Sequence, residues 1–169
     1  MQIVYAKETL PQMSTLGIFL AGPTPRRKDV QSWRPDALHI LEEHRYEGTV
    51  YVPEARDGIW KPNEYEMQVE WEEAALNKAA CILFWVPRKM GTLPGLTTNV
   101  EFGVWQDSGK VVLGAPLDAE KVRYLLYYAM KLRIPTARTL EATVALAIER
   151  AQVYTRAVQA MRADLNFGV

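Results

Sequence analysis

Cysteine is almost missing from this chain: Cys81 stands alone among 169 residues, so no internal disulfide can form. It sits in the apolar run Ala79–Val86 and reads as a reduced core residue. No charge of one sign is in excess, because 20 basic residues meet 20 acidic ones. A nucleic-acid polymer or a charged membrane surface would therefore find no global field to bind. No apolar stretch reaches the ~20 residues that a membrane-spanning helix needs, and Met1–Gln12 lacks a signal-peptide pattern. The expectation is a cytoplasmic protein with no membrane partner. Histidine is scarce too: His39 and His44 lie on one helix candidate without further clustered ligands, so metal chemistry has little support and no cofactor is expected. No repeat, low-complexity tract or Gly/Ser linker divides the chain, which predicts one domain over residues 1–169. What is present is 49% apolar residues, enough for a sizeable core at this length.

The apolar residues alternate between two kinds of segment. Short runs at Gly17–Ala21, Thr49–Val52, Ala80–Val86 and Lys110–Gly114, with a brief one at Ile134–Thr136, have strand length and lie beside Gly or Pro. Amphipathic stretches at Ser32–His44, Asn63–Lys78, Asn99–Asp107, Ala119–Leu132 and Thr139–Asp164 separate or follow them. Strand alternating with helix implies crossovers, so the expected fold is α/β: a doubly wound sheet of five parallel strands with helices on both faces. Ligands in such sheets bind beyond the carboxyl ends of the strands, where strand order reverses. Function should then lie in the loops Gly22–Gln31, Glu54–Pro62 and Pro87–Thr98. The last helix has a stripe from Leu140 through Val144, Ile148 and Ala151 to Tyr154, Val158, Met161 and Leu165. It closes the core, or its second half meets another subunit.

In the first of these loops, Gly22 lets a ligand approach the backbone, while Pro23 and Pro25 fix the loop's course. Arg26 and Arg27 offer planar donor forks to a phosphate or to sugar oxygens, although a solvated turn would use the same residues. The loop is neither a GxGxxG nor a P-loop. Before the next helix, Asn63 with Glu66 forms a capping box. On a wheel of roughly 100° per residue, Glu66, Glu70, Glu73 and Asn77 make the solvent face. Tyr65, Val69, Ala75, Leu76 and Ala79 make the apolar arc, and Glu72 interrupts it one turn after Gln68. Glu72 either reaches water at the helix's end or faces the ligand crevice, where a carboxylate can bind a base or carry a proton. Trp71, with Met67 and Ala74, reads as packing, whereas Trp85 at a strand end is either core or a contact for a base.

Thr97-Thr98-Asn99-Val100-Glu101-Phe102-Gly103 opens the next helix. Thr98-x-x-Glu101 is a capping box in structural terms. The loop before it, with Gly91, Pro94 and Gly95, stands where this architecture places its site. A carboxylate in a helix's first turn is also kept ionised by the helix dipole, which suits a nucleophile.

Several motifs together resemble the nucleoside 2-deoxyribosyltransferase-like family: Gly17-Ile-Phe-Leu-Ala-Gly-Pro-Thr, Ser32-Trp-Arg, Glu70-Trp-Glu, Ile82-Leu-Phe-Trp-Val-Pro-Arg and Thr97-Thr-Asn-Val-Glu-Phe-Gly with Ser108-Gly-Lys. The resemblance implies a flavodoxin-like fold and a carboxylate nucleophile that maps onto Glu101, with Thr98 and Asn99 beside it at the substrate. It implies attack at the anomeric carbon of a nucleoside or nucleotide, a covalent glycosyl-enzyme, and transfer of the sugar to a free nucleobase or to water. An acidic residue on the preceding helix, here Glu72 or a neighbour, would protonate the leaving base. Family members often complete the site from a neighbouring subunit, which makes a homo-oligomer the expectation; Tyr124, Tyr127 and Tyr128 lie in the region concerned. This chain departs from the pattern in two places. Gly95 stands where transferases have an aspartate, and Ile18 where a tyrosine is common. Three readings follow: a deoxyribosyl transferase, an N-glycosidase acting on nucleosides or their 5′-monophosphates, and a non-catalytic nucleotide-binding module that has no use for Glu101.

Overall fold

The computed structural model describes residues 1–12, 16–25, 27, 29–58 and 64–166, without the side chains of residues 162 and 164–166. Its strands are β1 (Gln2–Tyr5), β2 (Ile18–Ala21), β3 (Thr49–Val52), β4 (Cys81–Trp85), β5 (Val111–Gly114) and β6 (Thr136–Ala137). They form one six-stranded sheet in the order β1-β3-β2-β4-β5-β6, and every pairing is parallel. The helices are α1 (Arg34–Glu43), α2 (Tyr65–Lys78), α3 (Leu96–Trp105), α4 (Arg123–Lys131) and α5 (Leu140–Asn166). The five expected strands are β2 to β6, arranged as in a flavodoxin-like sheet. β1 is the addition, paired from Gln2↔Thr49 to Tyr5↔Val52 at the sheet's edge.

β2, β3, β4 and β5 are buried along their whole length, because helices cover both faces. The pleat divides their side chains between two cores. Phe19, Ala21, Ile82 and Phe84 meet Trp71 and Ala75 of α2, Phe102 of α3 and Leu125 of α4. Ile18, Leu20, Leu83 and Trp85 meet Ala37 and Leu41 of α1 and Val144, Ala147 and Ala151 of α5. Cys81, the first residue of β4, has no exposed surface, and burial pushes its thiol pKa well up. From β2 the chain crosses by α1 to β3 on one side, while β4 lies on the other. Strand order therefore reverses at β2, and the ends of β2 and β4 are the place where sheets of this kind bind ligands.

Several expected boundaries change. α3 begins at Leu96, with Gly95 as its N-cap and no side-chain cap, so the Thr98–Glu101 capping box does not form. Thr98 lies inside the helix, and no acidic residue occupies the first turn. The dipole argument for Glu101 lapses with it, since that field fades beyond the first turn. α2 begins at Tyr65 with Glu64 as N-cap; Asn63 lies outside the described residues. The apolar arc of α2 is also rotated from expectation: Trp71, Ala75 and Leu76 are buried, but Tyr65, Val69 and Met67 are 57%, 45% and 58% exposed. Ala74 is exposed as well, so of the three residues expected to pack only Trp71 does. Its indole Nε1 donates to the Glu8 carbonyl at 2.8 Å, tying the segment after β1 to α2.

Candidate functional site

β2 ends in Gly22, whose φ of +148° and lack of a side chain are both required: a Cβ there would lie 2.1 Å from the Trp85 carbonyl oxygen. The loop after β2 is thereby drawn onto the end of β4. Pro23 is buried, and its carbonyl accepts a hydrogen bond from Trp33 Nε1 at 3.1 Å. The start of α3 seats on the same loop. Gly95 has φ +56°, and a Cβ on it would come within 2.8 Å of Pro23 Cβ. Thr98 is buried at this junction, and Phe102 packs edge-on against Phe84 with centroids 5.4 Å apart. These contacts fix the helix face that carries Glu101.

Glu101 is partly buried. Its carboxyl pKa is raised to about 7, first by burial and then by the nearby Glu72 carboxylate, with the charge of Arg34 opposing both. Glu72 is also partly buried, and its pKa is raised by burial; a hydrogen bond from Gln68 Nε2 at 2.6 Å and the charge of Arg34 pull the other way. The charge of one acid on α2 thus acts on another on α3, and the pair holds a proton up to about pH 7.

The cation facing them comes from the opposite helical layer. Arg34 is 1% exposed, and its Nη1 meets Glu54 Oε1 at 2.6 Å in the loop after β3. The Ser32 hydroxyl donates to the same oxygen at 2.9 Å. Neither Arg34 nor Glu54 was singled out by the residue patterns, although Arg34 belongs to the Ser32-Trp-Arg motif and Glu54 opens one of the three expected loops. A usable signal was an arginine opening a helix directly before Pro35, the end of a helix that disfavours a cation.

The remaining expected site residues disperse. Arg26 lies outside the described residues. Arg27 is exposed and paired through two nitrogens with Asp29, at 2.9 and 2.6 Å, which commits its fork within its own turn. Trp85 is 7% exposed and belongs to the core shared with α1 and α5, the first of the two alternatives its position left open. Asn99 is exposed and accepts from Arg88 Nη2 at 2.7 Å. Arg88 is buried and also binds the carbonyls of Gly95 and Lys121, so it clamps α3 to the segment before α4. Asn99 lines a groove between α3 and α4 with Phe102, Gly103, Gln106, Tyr124 and Tyr128. Among the described residues no group of three His, Cys, Asp or Glu is placed to hold a metal ion. No helix among them is long and apolar enough to cross a membrane.

Chemically, the arrangement brings together two carboxyl groups, one of them raised to about 7, and a cation fixed by hydrogen bonds. A family model described as Nucleoside 2-deoxyribosyltransferase like matches residues 15–119, more than half of the chain. A search of curated proteins finds no match.

Proposed function

The chain belongs to the nucleoside 2-deoxyribosyltransferase-like family, and from that premise we propose that it cleaves the N-glycosidic bond of a (deoxy)nucleoside and moves the sugar to another nucleobase. The observation that carries this reading is the acid pair Glu72 and Glu101 at the reversal of strand order, with Glu101 raised to about 7 by burial and by its neighbour. The reacting state is the singly protonated pair with its proton on Glu72 and Glu101 as the anion, the less populated of the two arrangements, since Glu101 is the acid that holds its proton to about 7. A Glu101 carboxylate oxygen attacks C1′, and the C1′–N bond breaks. The leaving nitrogen takes the bond's electron pair and the proton of Glu72. An acceptor base nitrogen then attacks C1′ from the vacated side, the ester breaks, and Glu101 leaves as a carboxylate while Glu72 recovers a proton. With Gly95 in place of an acid, Glu72 is the group that serves the leaving base.

Water in place of the acceptor base gives the hydrolase by the same steps. To serve a 5′-phosphate, Arg27 would exchange its exposed partner Asp29 for the phosphate. Base-exchange and base-release assays on a nucleoside and its monophosphate separate these reactions. The decisive experiment is intact-protein mass spectrometry after mixing with deoxynucleosides. A deoxyribosyl adduct on the wild type that disappears in Glu101→Gln supports the mechanism, and a turnover-competent Glu101→Gln removes it. The partner proposed beyond the small-molecule substrate is a second copy of the chain. Leu96, Val100 and Val104, spaced four apart on α3, are 62%, 68% and 70% exposed, and Tyr124 and Met130 on α4 are 71% and 72% exposed.

A further inference from the structure

Arg34 is costly where it stands. It opens α1, where the helix dipole disfavours a positive charge, and it is fully buried. Such a guanidinium persists only when its charge and its donors are met. Nε donates to the Leu20 carbonyl at 3.1 Å and Nη2 to the Gly22 carbonyl at 2.9 Å. Nη1 donates to Thr24 Oγ1 at 3.2 Å and to Glu54 Oε1 at 2.6 Å. The Ser32 hydroxyl, bonded to Glu54, accepts from the Arg34 backbone N–H at 3.2 Å, so the counter-ion is itself fixed. The two carbonyls flank Ala21 at the end of β2, which sets the cation at the carboxyl end of that strand.

Beyond Glu54, the charges that act on Arg34 are those of Glu101 and Glu72. Seen from the acids, the charged groups acting on Glu101 are Glu72 on α2 and Arg34 on α1. Arg34 is also the charge acting on Glu72, and geometry ties the two: Gln68 Nε2 donates both to Glu72 Oε1 at 2.6 Å and to the carbonyl of Pro53, the neighbour of Glu54, at 3.4 Å. Arg88, the other buried arginine among the described residues, bonds through its two Nη atoms to the carbonyls of Lys121 and Gly95 and to Asn99 Oδ1.

We propose that Arg34 is a positioning residue for the acid pair: clamped between Glu54 and the carbonyls that end β2, it is the fixed positive charge that lets Glu101 become an anion beside Glu72. Glu54 is then the counter-ion that sets how much of that charge the pair receives. The inference rests on Glu101 being the nucleophile of the proposed reaction. It makes a demand that a merely structural clamp does not: removing Arg34's charge and removing its counter-ion must move the ionisation of Glu101 in opposite directions.

The test compares the limb of kcat/KM near pH 7 with the carboxyl titration of Glu101 followed by NMR on ¹³C-labelled glutamate, in the wild type, Arg34→Gln, Arg34→Lys and Glu54→Gln. Expected are a midpoint raised by about one unit in Arg34→Gln, recovery toward the wild type in Arg34→Lys, and a lowered midpoint in Glu54→Gln. Equal midpoints across the folded variants overturn the proposal, even if their rates differ. Should circular dichroism show Arg34→Gln unfolded, the sign of the Glu54→Gln displacement decides alone. An active Glu101→Gln would remove the reaction assigned to Glu101, while the carboxyl titration would still judge the role of Arg34.

Discussion

Ionising Glu101 costs the fold free energy, because its folded pKa of about 7 stands above the ordinary 4.5. The neutral acid is the form the folded chain favours. Its stabilising contribution is fully present below about 4.5 and is lost as pH rises through about 7. At roughly 1.4 kcal/mol per unit, that displacement is about 3 kcal/mol. Glu101→Gln, which cannot ionise, should therefore melt above the wild type at pH 8 and level with it near pH 4.5, as differential scanning calorimetry at both values would read. Its turnover should fall roughly 10³-fold or more, the loss expected when a covalent nucleophile is removed. In the wild type, kcat/KM should fall as pH rises through about 7, where the pair gives up the last proton, the one the leaving base needs. Glu72→Gln should slow turnover by roughly 10²–10⁴-fold, whereas exposed Glu70→Gln should leave it unchanged; equal effects would mean that the wrong carboxylate of α2 has been assigned. Glu72 was legible in the sequence as a carboxylate breaking an apolar arc, even though Tyr65 and Val69 of that arc turned out exposed. Arg34 was not, because its oxygen partners include backbone carbonyls 14 and 12 residues away, and backbone atoms leave no mark on a residue pattern.

At the level of elements, β2 to β5 were legible because each is a short apolar run buried on both faces. β1 was not: Gln2-Ile-Val-Tyr5 is half polar, and at the sheet's edge only Val4 of the four is fully buried. The start of α3 was missed for a different reason. A left-handed Gly95 sets the first turn at Leu96, while Thr98 and Glu101 imitate a cap one turn too late. Gly95→Ala tests that geometry. Its strained backbone and the approach to Pro23 should cost about 1–3 kcal/mol, and activity should drop further than stability alone explains, since the helix bearing Glu101 must shift. Gly91→Ala is the control, because a Cβ there meets open space. If thermal unfolding and turnover respond alike in the two variants, the seating of α3 on the β2 loop has been overvalued.

Across the whole molecule, the apolar surface left uncovered gathers on α3 and α4, where Val100, Val104, Tyr124 and Met130 are each at least 68% exposed. Association through that face is the expectation, and Val100→Lys with Val104→Lys should lower the sedimentation coefficient without lowering helix content. An unchanged coefficient would mean that the face stays wet. Cys81 offers a different handle on the intact molecule. As the sole thiol, buried at the start of the central β4 with its proton held tightly, it stays silent toward alkylating reagents until the sheet comes apart. Labelling with iodoacetamide is therefore a built-in clock for global opening, with no engineered probe required. A deoxynucleoside seated across the ends of β2 and β4 should slow that clock in proportion to its occupancy. The chain thus carries a binding assay that works even when no bond is broken.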